Sequence, residues 1–97
     1  MKHALITINH TKDAWQQLAQ AEQDAFIKQM QQTAERMDVH LLLGYRLNTP
    51  HSVLDVWEAA AQSTLDEFKQ ALDALGYKKY FDYVAMYGER GDDWLQR

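Results

Sequence analysis

Apolar and polar residues alternate in the first stretch of the chain. Over residues 2–9 one face carries Ala4, Ile6 and Ile8 and the other carries His3, Leu5, Thr7 and Asn9, and this period of two predicts a β-strand. Thr11 offers a hydroxyl oxygen for capping a helix N-terminus, so we predict that a helix begins at Lys12.

The next stretch has apolar residues at helical spacing from Trp15 to Met37, with Gln, Lys and Glu on the opposite side. The apolar stripe is interrupted between Gln20 and Asp24, which fits either one helix or a short helix followed by a longer one. Asp38 is predicted to end this element.

Two apolar runs, Val39–Leu47 and His51–Ala59, flank the turn signal Asn48-Thr49-Pro50, and this arrangement predicts a β-hairpin. A turn centred on Asn48-Thr49 aligns the strands so that three residue pairs lie opposite each other. These predicted pairs are Arg46 with His51, Leu42 with Asp55, and His40 with Trp57.

A second helix and a last strand follow the hairpin. Ser63 and Asp66 have the spacing of a capping box, and Gly76 stands where a left-handed residue ends a helix. The segment Tyr80–Glu89 is the predicted final strand. Beyond it, Trp94-Leu95 is an apolar pair within a polar tail.

The predicted order β-α-β-β-α-β indicates one α+β domain spanning residues 1–97. Connections that are right-handed and do not cross favour a ferredoxin-like antiparallel sheet with both helices on one face. Its expected strand order is fourth, first, third, second.

Each predicted strand has a purely apolar face and a mixed face. We expect the apolar faces to pack against the helices; they comprise Ala4, Ile6, Ile8, Leu41, Leu43, Leu54, Val56, Val84 and Met86. The opposite faces combine aromatic, apolar and polar side chains, which include His3, Leu5, Asn9, His40, Arg46, Asp55, Trp57, Tyr83 and Tyr87. Because so much of the mixed face is apolar, we expect it to be covered by a second copy of the chain in a homodimer.

Composition narrows the function classes. A net charge of −4 argues against a nucleic-acid-binding surface, which requires a basic face. The absence of cysteine excludes disulfides, thiolate nucleophiles and cysteine-ligated zinc. No apolar run reaches the length of a membrane span or of a signal peptide, so a cytoplasmic location is expected.

Asp55 is the strongest candidate for chemistry. A carboxylate at mid-strand between apolar neighbours is expected to have a raised pKa, which suits a general acid or base. In that interpretation His40 or His3 exchanges the proton and Arg46 steadies an anionic or enolate oxygen. The alternative is that Asp55 pairs with Arg46 or a histidine and only organises the dimer interface.

Aromatic residues give a second candidate site. Trp57, Tyr83 and Tyr87 are expected either to stack against a flat small molecule or to fill the space between two sheets. Asn9 and Arg46 complete the predicted ligand-binding set. Tyr77, Tyr80 and the Trp94-Leu95 pair are candidates to cover a neighbouring subunit. The four histidines lack the spacing of a metal site, so no metal is predicted.

Several of these features together resemble the dimeric α+β barrel superfamily and, within it, the darcynin-like proteins. They are the compact β-α-β-β-α-β unit, Trp15 followed by Leu18, the E-x-x-A-F step at Glu22–Phe26, and Trp57-Glu58 at the end of the third strand. The resemblance implies two sheets packed face to face around a cavity. Haem-degrading members use a first-strand Asn, which Asn9 matches, together with a Trp and a His on the second helix, which residues 64–75 lack.

Two classes of function remain open. One is a non-catalytic homodimer that binds a small, aromatic molecule between sheet and helices or between sheets, without a cofactor. The other is a cofactor-independent monooxygenase- or isomerase-type enzyme that uses Asp55 and a histidine for proton transfer.

Overall fold

The computed structural model describes residues 3–91, and the Trp94-Leu95 pair lies outside this range. Its four strands are β1 (His3–Thr11), β2 (His40–Arg46), β3 (Ser52–Ala59) and β4 (Phe81–Glu89). Its helices are α1 (Asp13–Gln16), α2 (Gln20–Arg36), α3 (Gln62–Ala74) and α4 (Tyr77–Tyr80).

The strands form one antiparallel sheet in the order β2-β3-β1-β4, which is the predicted ferredoxin-like order. Strands β1 and β3 lie inside the sheet, and β2 and β4 form its two edges. Across the sheet, Leu5 of β1 lies opposite Trp57 of β3 and Tyr87 of β4. The fold class predicted from the order of elements is therefore confirmed.

Helix ends follow the sequence signals in part. Gly76 (φ 97°) adopts the predicted left-handed conformation just beyond α3. Asp38 lies just beyond α2, where the helix was predicted to end, and it is left-handed too (φ 56°). The predicted caps are wrong. Thr11 is the last residue of β1, and Ser63 lies inside α3, which begins at Gln62 after Ala61. No side chain caps α1 or α3, whose N-cap residues are Lys12 and Ala61.

The core lies between the helices and one face of the sheet. Leu5, Leu65 and Phe68 are fully buried, and the Phe68 ring lies 4.9 Å from that of Trp57. A second aromatic group joins α1 and α2 to β4; it comprises Trp15, Phe26, Tyr77, Tyr80 and Phe81. Helix packing thus combines large aromatic side chains with leucines such as Leu65.

The face assignment from sequence is wrong, because the mixed face packs against the helices. Leu5, Thr7 and Asn9 are buried there, whereas Val84 is 63% and Met86 48% exposed on the other side. Polar residues are tolerated in this interior since they hydrogen-bond to one another. We call the uncovered side the open face; it consists of Ile6, Ile8, Leu43, Tyr45, Leu54, Val56, Val84 and Met86.

The predicted hairpin register is also wrong. Arg46 lies opposite Val53 and Gly44 opposite Asp55, because the loop occupies residues 47–51 rather than a tight turn. A bulge at Leu42 inserts one extra residue into β2, so that the strand alternation is broken there. His40 consequently lies opposite Glu58 instead of Trp57.

Candidate functional site

A cleft of about 390 Å³ lies between α2 and the helix-covered face of the sheet. We call it the α2 cleft. Its apolar walls are formed by Trp15, Ile27, Met30, Leu41, Trp57 and Phe81. Its polar lining includes Asn9, Arg46, Asp55 and Tyr77. A concave site with apolar walls and a few polar groups is typical of small-molecule binding.

The polar floor of the cleft is organised around the side-chain amide of Asn9, which is only 3% exposed. Its nitrogen lies 3.0 Å from the Thr7 hydroxyl oxygen, 3.3 Å from the Val53 carbonyl oxygen and 3.3 Å from Asp55 Oδ2. Its oxygen accepts a hydrogen bond from the hydroxyl of Tyr77. Both ends of the amide are therefore occupied, and its orientation is fixed.

Asp55 lies mid-strand in β3, where Thr7 is its neighbour on one side and Gly44 on the other. Burial raises the pKa of this carboxyl above its usual range. A Cβ atom at Gly44 would lie 3.1 Å from Asp55 Oδ1, so the missing side chain leaves room for the carboxylate. Asn9 holds Oδ2, and Oδ1 has no hydrogen-bond partner within residues 3–91.

Tyr77 is the part of the site that the sequence did not reveal. The left-handed Gly76 turns the chain back after α3, and the Tyr77 side chain then enters the interior, where it is 5% exposed. Burial and the nearby carboxylate of Asp55 raise the pKa of Tyr77 strongly, so it stays a neutral donor. Gly76 was recognised as a helix end, but no pattern indicated which way the next residue points.

Arg46 lies at the mouth of the cleft, near the end of edge strand β2. It also lines a shallower depression that reaches His51 and Ser52. The side chain is exposed and has no ion-pair partner in the part of the chain that the structure describes. Arg46 lies two residues along β2 from Gly44, which is the residue opposite Asp55. The distance along the strand between these two rows of the sheet is about 7 Å.

The two predicted histidine partners are not brought to Asp55. His40 is exposed, and its Nε2 lies 2.8 Å from Asp38 Oδ1. His3 is on the same face as Thr7, but four residues away along β1, which is about 13 Å. Neither of these two imidazoles therefore pairs with Asp55, contrary to the prediction from sequence.

Two predicted aromatic ligand contacts lie elsewhere. Tyr83 donates a hydrogen bond to Asp73 of α3 at 3.2 Å, and Tyr87 donates one to Asp66 of the same helix. Burial, followed by the paired carboxylate, raises the pKa of each tyrosine to about 12. Both residues tie β4 to α3, so of the predicted ligand-binding set only Asn9, Arg46 and Trp57 line the α2 cleft.

A second depression, of about 450 Å³, lies beside β4 and is lined by three lysines. Lys12 Nζ is 3.5 Å from Asp82 Oδ1, and Lys78 Nζ is 3.5 Å from Asp73 Oδ2. Neighbouring carboxylates therefore compensate much of its positive charge, and it lacks a buried polar floor. The α2 cleft is the better-formed site.

Comparison with known proteins identifies a family but no activity. A family model described as "Family of unknown function (DUF6616)" matches residues 2–93. No curated protein matches the sequence.

Within residues 3–91, no helix is long and apolar enough to span a membrane, and no three His, Asp or Glu side chains form a metal-binding group.

Solved structures share the fold at low identity. A mutant chlorite dismutase from Candidatus Nitrospira defluvii superposes with a TM-score of 0.70 at 13% identity, over 94% of this chain. This chain spans only 40% of that protein's length. A dimeric ferredoxin-like protein from an uncultured marine organism has a TM-score of 0.57 at 12% identity, and the match covers 93% of this chain and 94% of that protein. An uncharacterized NIPSNAP domain protein from Burkholderia xenovorans has a TM-score of 0.52 at 10% identity, and the match covers 93% of this chain and 95% of that protein.

Proposed function

We propose that this chain, which belongs to the DUF6616 family of unknown function, is a homodimeric protein that binds a small, partly aromatic molecule in the α2 cleft. The observation that carries the proposal is the fixed polar floor beneath apolar walls. Asn9 and Tyr77 are buried and joined by a hydrogen bond, Asn9 also donates to Asp55 Oδ2, and Asp55 Oδ1 remains available to a ligand.

The size of the cleft supports a small molecule rather than a peptide. At about 390 Å³, it is near the lower end of the range for ligand pockets. Trp15 and Trp57 contribute indole rings to its walls, and flat ligands pack well against such surfaces. The space lies between sheet and helices, which is one of the two places predicted from sequence.

Homodimer formation is proposed through the open face rather than the mixed face. Val84 is 63%, Tyr45 61% and Ile8 39% exposed there, and a contiguous apolar sheet surface of this kind marks an interface. A second copy would bury it sheet against sheet, as the superfamily resemblance implies. One similar structure is itself named a dimeric ferredoxin-like protein, which supports this arrangement. The finer likeness to darcynin-like proteins, and a cytoplasmic location, stay predictions.

Proton transfer by Asp55 is the second candidate function. Its raised pKa and its open Oδ1 favour exchange of a proton with a bound molecule. Since His3 and His40 lie elsewhere, the groups that hold Asp55 in place are Asn9 and, through it, Tyr77. A cofactor-independent enzyme of this kind requires the same ligand cleft, so binding is the property to test first.

The test uses naphthol as a simple aromatic probe, observed by saturation-transfer NMR. We expect the wild-type protein to bind it and Ile27→Trp to lose that binding, because the larger side chain fills the cleft from α2. Gln70→Trp, on the exposed side of α3, adds the same indole away from the cleft and should bind normally. Equal binding by the wild type and both variants, or by none, would contradict the proposal.

A further inference from the structure

Two charged side chains, Asp55 and Arg46, line the α2 cleft, and they are opposite in sign. Asp55 Oδ1 lies beside Gly44, 3.1 Å from where a Cβ atom at that glycine would stand, and Oδ2 accepts a hydrogen bond from the Asn9 amide. The Arg46 guanidinium stands at the mouth, where the cleft meets the shallower depression. A ligand that fills the apolar space between them therefore meets an acceptor at one end and a cation at the other.

We propose that the ligand is a flat, apolar molecule that carries a hydrogen-bond donor at its inner end and an anionic group at its outer end. This rests on the proposed binding function and names the chemical class that the cleft selects. The donor binds Asp55, and the anion binds Arg46.

The polar floor explains why the inner group must be a donor. The two amide hydrogens of Asn9 have three acceptors within reach, on Thr7, Val53 and Asp55, and Tyr77 donates its hydroxyl hydrogen to Asn9. The remaining function at the inner end is therefore acceptance, by the carboxylate of Asp55. A buried acceptor left unpaired by a ligand is costly, so molecules without a donor are rejected.

The outer end selects an anion for a different reason. Arg46 has no carboxylate partner within residues 3–91, and its planar guanidinium suits a carboxylate geometrically. The rows of the sheet that hold Asp55 and Arg46 are about 7 Å apart, and the arginine side chain extends that reach. Two fused aromatic rings with a substituent at each end match this separation.

The experiment compares three probes by isothermal calorimetry. A hydroxynaphthoate carries the hydroxyl and the carboxylate at opposite ends of the rings. The matching methoxynaphthoate keeps the oxygen but lacks the donor, and naphthol lacks the carboxylate. We expect the wild-type protein to bind the hydroxynaphthoate about tenfold or more tightly than either control, a free-energy difference of about 1.4 kcal/mol.

Two variants assign the preferences to their residues. Asp55→Asn presents an amide hydrogen to the ligand oxygen, so it should bind the hydroxy and methoxy probes about equally. Arg46→Gln should lower the affinity for the hydroxynaphthoate about tenfold and leave the affinity for naphthol unchanged. Near-ultraviolet circular dichroism of each variant establishes that it is folded.

Each failure has its own meaning. Equal wild-type affinity for hydroxy and methoxy probes would overturn the donor assignment, and equal affinity for naphthol would overturn the anion assignment. In both cases an aromatic molecule still occupies the cleft, and the proposed function stands. If no probe binds and the Ile27→Trp comparison shows no difference, both the ligand class and the proposed function are refuted.

Discussion

The Tyr77 hydroxyl donates its hydrogen bond to the side-chain oxygen of Asn9, although the two residues are 68 positions apart in the chain. Both are buried, at 5% and 3% exposure. The bond joins the short helix α4 to the central strand β1 beneath the α2 cleft. Because Asn9 also holds Asp55, a residue that lies outside the hairpin determines how the candidate carboxylate is presented.

Removing this hydroxyl should destabilise the protein. Tyr77→Phe keeps the ring but leaves the Asn9 oxygen buried without its donor, which costs about 1–3 kcal/mol of unfolding free energy. The matched control is Tyr83→Phe, whose hydroxyl binds the partly exposed Asp73 and should cost less than about 1 kcal/mol. Urea unfolding of both variants measures the difference. A smaller loss for Tyr77→Phe than for Tyr83→Phe would show that the floor is not a stabilising unit.

A glycine pair tests the turn that directs Tyr77 inward. Gly76 has φ 97°, so Gly76→Ala should lower the unfolding free energy by about 1–2 kcal/mol, although nothing surrounds the new methyl group. Gly88→Ala is the control, since its Cβ would meet only Ile6 and Ala4 at ordinary contact distances. Replacing a glycine in an ordinary strand conformation by alanine raises the unfolding free energy of the protein by up to about 1 kcal/mol. Thermal unfolding of the two variants should therefore shift in opposite directions.

The sequence predicted the fold well because the order of elements leaves few ways to build a sheet. Periodicity and turn signals indicated all four strands, and Asp38 and Gly76 lie at the ends of α2 and α3, as predicted. The positions of the strands in the sheet then followed from topology alone. Strand alternation put Asn9, Arg46 and Trp57 on one face of the sheet, and all three line the cleft beneath the helices.

The faces of the sheet were predicted wrongly for a physical reason. Hydrophobicity alone favours burial of the aliphatic set, yet that set includes Val84 and Met86, which are exposed. The mixed face is buried because its polar groups satisfy one another and its aromatic rings fill the space under the helices. Neither hydrogen-bond closure nor the bulge at Leu42 has a periodic signature in the sequence. The role of Tyr77 was missed for the same reason.

The carboxyl of Asp55 should make stability depend on pH in a definite direction. Burial raises its pKa in the folded state, so the folded protein binds this proton more tightly than the unfolded chain does. That contribution is fully present below the unfolded pKa and is lost as the pH rises through the folded pKa. Asp55→Asn avoids the loss, because an amide stays neutral. We therefore expect this variant to gain stability relative to the wild type at pH 7, and the gain to shrink towards about pH 3, below the ordinary Asp pKa.

Chemical unfolding at several pH values measures this difference. Asp24→Asn, on the exposed side of α2, removes the same charge without altering the cleft and serves as the control. A gain that grows as the pH falls would mean that the Asp55 carboxylate is stabilised by its surroundings rather than destabilised. The proton-transfer candidate would then lose its physical basis.

The open face gives the last prediction, which concerns assembly. Val84 is 63% exposed and lies at the β4 end of an apolar row across the sheet that also contains Ile8 and Leu54. In a sheet-to-sheet dimer, Val84→Glu buries an unpaired charge, which should weaken association by on the order of 3 kcal/mol, more than a hundredfold in Kd. Gln70→Glu adds the same charge to the outside of α3 and should leave the dimer intact. Sedimentation equilibrium of the two variants over a range of concentrations checks this. A wild-type protein that sediments as a monomer at micromolar concentration would refute the dimer, and unchanged association of Val84→Glu would place the interface away from the open face.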